Sequence, residues 1–196
     1  LLALILTAGA MLVACGDDLS NAPGDPVLLD ENFEGGSLPS NWTYIDADGD
    51  GHNWLHNTQF SSVSGHNGSS GCAVSQSYEN YGDGALTPDN YMVTAPIKIP
   101  NPKYSVAWAR CGQAKDYANE FYEVHVGTIK NGNFVSKAKI YEETVTATKE
   151  QGAWKTITAS LADYAGQEIC IAFRHCNTTD QFYLDIDDIK IFDNTL

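Results

Sequence analysis

From Val27 onward the chain alternates short apolar, aromatic and β-branched runs with turns rich in Gly, Asn, Asp and Pro, which is the pattern of strands. The clearest runs are VLLDENFE, GCAVSQS, NYMVTAPIKI, YSVAWARC, FYEVHVGTI, AKIYEETV, WKTITASL, EICIAFRHC and FYLDIDDIKIF. Lys130-Asn131-Gly132-Asn133 reads as a hairpin turn, because Asn-Gly accepts the positive φ angles that a tight reversal needs. No long segment carries a helical apolar period; AKDYANEFY is expected to begin with one helical turn and LADYAG to hold another. Many strands at a spacing of about ten residues imply a β-sandwich or barrel. FYLDIDDIKIF is expected to pair inside a sheet, and if it meets the first strand the two ends of the domain lie side by side.

The segments before Val27 follow a different pattern. LLALILTAGAMLVA is apolar and leads into Cys15, without an initiator Met or a basic stretch before it. An apolar run closed by L-V-A-C reads as a truncated bacterial lipoprotein signal whose Cys15 becomes the lipidated first residue. The rival, a transmembrane helix, needs roughly 20 apolar residues, more than this run supplies. GDDLSNAPGDP is small and acidic and reads as a tether. The expected organisation is a signal over 1–15, a tether over 16–26 and one all-β domain over 27–196. Asp17-Asp18 resembles the export signal of surface lipoproteins in some Gram-negative bacteria, so the expected location is the outer membrane, facing outward, with the lipid as the sole membrane contact.

Charge narrows the partners. Twenty-five Asp and Glu against eleven Lys and Arg give a net charge of −14, which argues against a nucleic-acid backbone as partner, since that binding is driven by clustered Lys and Arg. Cys72, Cys111, Cys170 and Cys176 lie in the β region, and four thiols allow three pairings. Cys170 and Cys176 share one run and stand about 20 Å apart in extended chain, too far to bond. Cys111 and Cys176 each close similar runs, VAWARC and IAFRHC, and are the pair expected to bridge. The five histidines are scattered, and no G-x-S-x-G, HExxH or phosphate loop is present, so an enzyme is not expected. Tyr78 and Tyr81 in QSYENYGDG are the best candidates for exposed ligand-binding aromatics, with loop packing as the alternative.

IDADGDGHNW places Asp46, Asp48 and Asp50 at alternate positions with Gly51 next, a spacing that converges carboxylates on one hard cation. An EF-hand is excluded, since its twelfth position is Asn57 and no helices flank it. A solvated acidic turn satisfies the same residues. In the first run Asn32 and Glu34 share a side, as Asp185 and Asp187 do in the last. Acids within an apolar frame call for a cation or hydrogen-bond donors, unless they face water on an edge strand.

Several long motifs, in order, resemble the cleaved adhesin family, the haemagglutinin/adhesin domains of gingipain-type surface proteases. They are ENFEGGSLPSNWTYIDADGDGHNW, GHNGSSGCAVSQS, LTPDNYMVTAPIKIP, AKDYANEFYEVHVGT, EETVTA and IAFRHCNTTDQFYLDIDDIKI. The resemblance implies a jelly-roll β-sandwich like carbohydrate-binding modules and MAM-type domains, structural calcium, and adhesion to a host or matrix protein, or to a glycan, rather than catalysis. It also implies one calcium joining the first and last strands through Asn32, Glu34, Asp185 and Asp187, and a second in the Asp46–Gly51 loop. The family commonly has Asp where Asn32 stands, which removes one negative charge from that site.

Overall fold

A computed structural model describes residues 26–146 and 152–195. Cys15 and the proposed tether up to residue 25 lie outside the described residues. The strands are β1 (Val27–Glu31), β2 (Thr43–Asp46), β3 (Leu55–His56), β4 (Ala73–Gln76), β5 (Tyr78–Glu79), β6 (Gly84–Ala85) and β7 (Asn90–Val93), followed by β8 (Ile97–Lys98), β9 (Tyr104–Gly112), β10 (Phe121–Lys130), β11 (Asn133–Thr144), β12 (Lys155–Ser160), β13 (Glu168–His175) and β14 (Tyr183–Asp193). All nine runs read from the sequence contain strands. Short 3-10 turns cover Asn57–Gln59, His66–Gly68 and Ala162–Tyr164, the last within LADYAG. AKDYANEFY holds no helix: Ala114 bridges Tyr117, and Ala118 packs onto the Cα of Gly112, where a Cβ would lie 2.9 Å from the Ala118 Cβ. That packing of a fully buried Ala118 holds the segment against the sheet.

Two antiparallel sheets face each other. The first has the order β12-β9-β14-β4-β3 with β1 on β14; the second has β11-β10-β13-β7-β2 with β8 on β13. β1 runs against β14 from Val27↔Phe192 to Glu31↔Ile189, so the ends of the domain do lie side by side. Asn131 (φ 52°) and Gly132 (φ 79°) form the predicted β10–β11 turn. Alternate residues of the facing strands fill one core: Val106 and Trp108 of β9 and Leu184 and Ile186 of β14 meet Val124, Val126, Ile171 and Phe173 of β10 and β13. This is the sandwich that the strand spacing implied.

The same alternation aims the other residues outward. Cys111 sits on the outer side of the first sheet, opposite Asp185, whereas Cys170 and Cys176 are on the outer side of the second. The expected Cys111–Cys176 bridge is therefore absent, and all four described cysteines are free and buried. Opposed sheets pack about 10 Å apart, beyond the reach of a disulfide between their outer faces. The two runs do end similarly, but in different sheets. Burial pushes the Cys176 thiol up to about 12 and that of Cys111 higher still, so neither is nucleophilic at neutral pH.

On the outer face of the second sheet, Glu123 accepts from Lys139 (3.0 Å) and Arg174 (3.1 Å) and pairs with His125 (2.9 Å). Burial alone would raise its pKa, but these hydrogen bonds prevail and hold it at about 2. A carboxylate depressed on folding adds stability above its unfolded pKa and loses it as pH falls toward the folded value. Thermal melts between pH 5 and pH 2 are expected to show a steep loss in the native chain. Glu123→Gln lacks most of this component and is expected to show a shallower one.

Candidate calcium centres and recognition face

Asp46 ends β2 and opens a loop whose shape its own carboxylate sets: Oδ1 accepts from Gly49 N (2.7 Å) and Oδ2 from Gly51 N (2.9 Å). Gly49 (φ 74°) and Gly51 (φ 87°) occupy the left-handed region that glycine adopts freely, which folds the loop back on itself. Carboxylate oxygens of Asp46, Asp48 and Asp50 lie within 4.8 Å of one another, as the alternate spacing predicted. Burial raises the Asp48 pKa, with the Asp50 charge and Asp46 adding to it. Burial would raise Asp46 too, but the Gly51 and Gly49 amides and Asp48 outweigh it and lower it. Like charges this close favour a proton or a cation between them. The donor set is all oxygen, the chemistry of calcium.

The second group surrounds the 65–71 loop. β14 carries a bulge after Asp187, with Asp188 at φ 47°, and the bulge turns Asp187 toward that loop. Asp187 Oδ2 accepts from His66 N (2.8 Å) and Ser69 Oγ (3.1 Å). Glu34 holds the same loop from the side of the first strand, accepting from Ser70 Oγ (2.6 Å) and Gly71 N (2.7 Å). A Cβ at Gly65 would collide with Ser69 Oγ and the Gly71 carbonyl and lie 2.7 Å from Asp187 Oδ2. Three oxygens therefore converge beside Gly65. Burial pushes the Asp187 carboxyl up to about 6 despite its hydrogen bonds.

Asp185 is two residues away on the same face, fully buried, with neither carboxylate oxygen hydrogen-bonded. Burial, with Glu120 and Asp187 nearby, drives its pKa well above the usual range. Asn32 accepts from Glu34 N (3.2 Å), a turn that flips Phe33 (φ 56°) into the core and leaves both polar neighbours exposed. The structure thus brings Glu34 and Asp187 to one loop and keeps Asp185 buried between Val74 and Cys111 of the neighbouring strands, while Asn32 acts on Glu34. Ser69 and the Gly71 carbonyl carry no signal of their own within the GHNGSSG motif. Hydroxyl and main-chain oxygens carry no distinctive spacing.

β5 and β6 form a separate hairpin that stands beside the sandwich. Tyr81 at its tip is fully exposed and Tyr78 half-buried. Two clefts adjoin it. One, of about 480 Å³, is lined by Tyr78, Asn80, Tyr117 and Phe182 among others; the second, of about 570 Å³, includes Asn80, Tyr81, Gln113, Phe182 and Tyr183. Phe182 and Tyr183 stack with centroids 3.8 Å apart. Tyr117 and Phe182 join the two tyrosines picked out from the sequence; 113–119 and 177–182 are loops, where no periodicity marks a side chain as exposed.

Ser75, His175 and Glu120 form a hydrogen-bonded line, with Ser75 Oγ 2.8 Å from His175 Nδ1 and His175 Nε2 3.0 Å from Glu120. Each is completely buried between the sheets. No substrate reaches the hydroxyl, so the line fits a structural seam joining β4 to β13.

Two antiparallel sheets packed face to face, with acidic clusters in the loops at their edges, define a jelly-roll β-sandwich domain. The chain belongs to the cleaved adhesin domain family, whose pattern matches residues 27–191. It is 39% identical to gingipain R1 of Porphyromonas gingivalis over 83% of this chain, and 34% identical to a haemagglutinin A of that organism over 84%. It spans only 10% and 7% of those relatives, respectively. Crystal structures of the K1 and K3 cleaved adhesin domains of Lys-gingipain superpose with TM-scores of 0.72 and 0.73 at 36% and 35% identity, each covering 85% of this chain and 98% and 99% of theirs. A family 61 carbohydrate-binding module solved with β-1,4-galactotriose shares the jelly-roll fold at 17% identity, with a TM-score of 0.51 and 84% and 95% coverage.

Proposed function

We propose that this is a non-catalytic, calcium-stabilised adhesin domain that binds a host or matrix protein on the outer surface of the cell envelope, tethered through a lipid on Cys15. The observation that supports the reading is Tyr81, fully exposed on the wall of one cleft, with Tyr78 and Tyr117 lining the neighbouring one. Rigid aromatics exposed on a preformed scaffold gain contact area with little ordering cost. Calcium would be held by Asp46, Asp48 and Asp50 in one loop and by Glu34 and Asp187, with Asp185 and Asn32 close by, in the other. Bound there, it would supply charge compensation and stiffness to the loops beneath the face.

A glycan is the second reading, favoured by one observation: amides of Asn80 and Gln113 stand beside the stacked Phe182–Tyr183 pair. Purified domain applied in calcium to matched arrays of matrix proteins and glycans separates the two. Saturable binding to protein, weakened about tenfold or more by Tyr81→Ala, is expected. Binding confined to one sugar class supports the glycan reading, and no binding on either array contradicts both.

A further inference from the structure

The β5–β6 hairpin and the acidic loop after β2 meet at three side chains that neither calcium centre uses. His52 Nε2 lies 3.2 Å from Asp83 Oδ2, and a ligand atom of Glu79 completes a set whose members all lie within 4.8 Å of one another. We propose that His52, Glu79 and Asp83 bind a divalent first-row transition ion of the zinc kind, fastening the hairpin to the acidic loop.

The donor chemistry decides the class of ion. Calcium takes oxygen ligands, whereas an imidazole nitrogen beside two carboxylates suits zinc and its first-row neighbours. Metal–ligand bonds of ~2.0–2.2 Å at angles of about 90–110° place two ligands of one ion about 2.8–3.6 Å apart, a range that includes the His52–Asp83 separation of 3.2 Å. Both carboxylates lack a Lys or Arg partner among the described residues, so their charge has no cation nearby except His52 itself. The donors are also anchored. Glu79 Oε2 accepts from Asp83 N (2.9 Å) and lies over Gly82, where a Cβ would collide with it. His52 N donates to Asp50 Oδ1 (2.8 Å), which fixes the imidazole backbone against the acidic loop. His52 and Glu79 are half-buried and Asp83 is exposed, leaving an open side where water completes the coordination.

The consequence lies in the hairpin. β5 and β6 pair with each other and with neither large sheet, so an ion across His52, Glu79 and Asp83 closes the free side of the element carrying Tyr78 and Tyr81. Metal binding itself is independent of what those tyrosines recognise.

The test is titration calorimetry with zinc on the native domain kept in excess calcium, so that the calcium centres are filled by their own ion. One equivalent is expected to bind. Affinity is expected to fall at least tenfold in His52→Ala and in the exposed-site variant Asp83→Asn, both of which should keep the native melting temperature in calcium. Hydrogen exchange at residues 78–85 is expected to slow on adding zinc to the native domain. No saturable zinc binding, binding unchanged in both variants, or binding lost in His66→Ala, the other histidine within hydrogen-bond reach of an exposed carboxylate, overturns the proposal.

Discussion

Glu120→Ala is expected to lower the melting temperature by roughly 10 °C or more. Glu120 has no exposure and accepts four hydrogen bonds: from Ser77 Oγ (2.8 Å), Phe182 N (2.8 Å), His175 Nε2 (3.0 Å) and Thr178 Oγ1 (3.3 Å). Removing the acceptor leaves Ser77 and His175 stranded in the interior, and breaking a buried pair from one side costs about 3–5 kcal/mol. In a domain of this size each kcal/mol corresponds to about 2–4 °C. Glu120→Gln is expected to cost less. Its oxygen still serves Ser77 and Phe182, and His175 can accept from the new amide by moving its proton to Nδ1, beside Ser75. Melting of both variants by circular dichroism checks this; equal losses would show that the carboxylate's acceptor geometry is not what matters.

Chelation is expected to produce the second large effect. A ligand bound only by the native state stabilises it by RT ln(1 + [L]/Kd), about 4 kcal/mol per site at a thousandfold excess over Kd. Melting in EGTA is therefore expected to fall by about 10 °C for each centre that saturating calcium had filled, and to recover when calcium is restored. The two centres differ in reach. Glu34 and Asp187 tie the first and last strands to the 65–71 loop, whereas Asp48 acts within a surface loop, where it accepts from Asp89 N. Asp187→Ala or Glu34→Ala should thus lose more of the calcium-dependent stability than Asp48→Ala. Identical melts with and without the chelator would remove calcium from the account.

The strands were legible because each of the nine runs pairs an inward apolar set with turn residues at its ends, and β9, β10, β13 and β14 are long enough for the alternation to show. β2, β3 and the β5–β6 hairpin are two to four residues long and take their conformation from neighbours such as β7 and β4, so no local period marks them. Asp46, Asp48 and Asp50 were readable as a cluster because the loop is contiguous. Glu34 and Asp187 are distant in sequence, and what joins them is the 65–71 loop, contributing two hydroxyls and two main-chain amides that any sequence offers in abundance. Cys111 and Cys176 show the opposite failure: their runs end alike, but strand order sends them to different sheets, and order is a long-range property that similarity of two runs does not report.

If the face around the β5–β6 hairpin carries out adhesion, soluble domain competes for it: cells displaying the protein attach to a protein-coated surface while soluble domain is added in calcium. The native domain is expected to block attachment in a saturable way, and a Tyr81→Ala/Tyr117→Ala double variant with an unchanged melting temperature is expected to block it at least tenfold less well. Equal inhibition by the two proteins would contradict the assignment of this face.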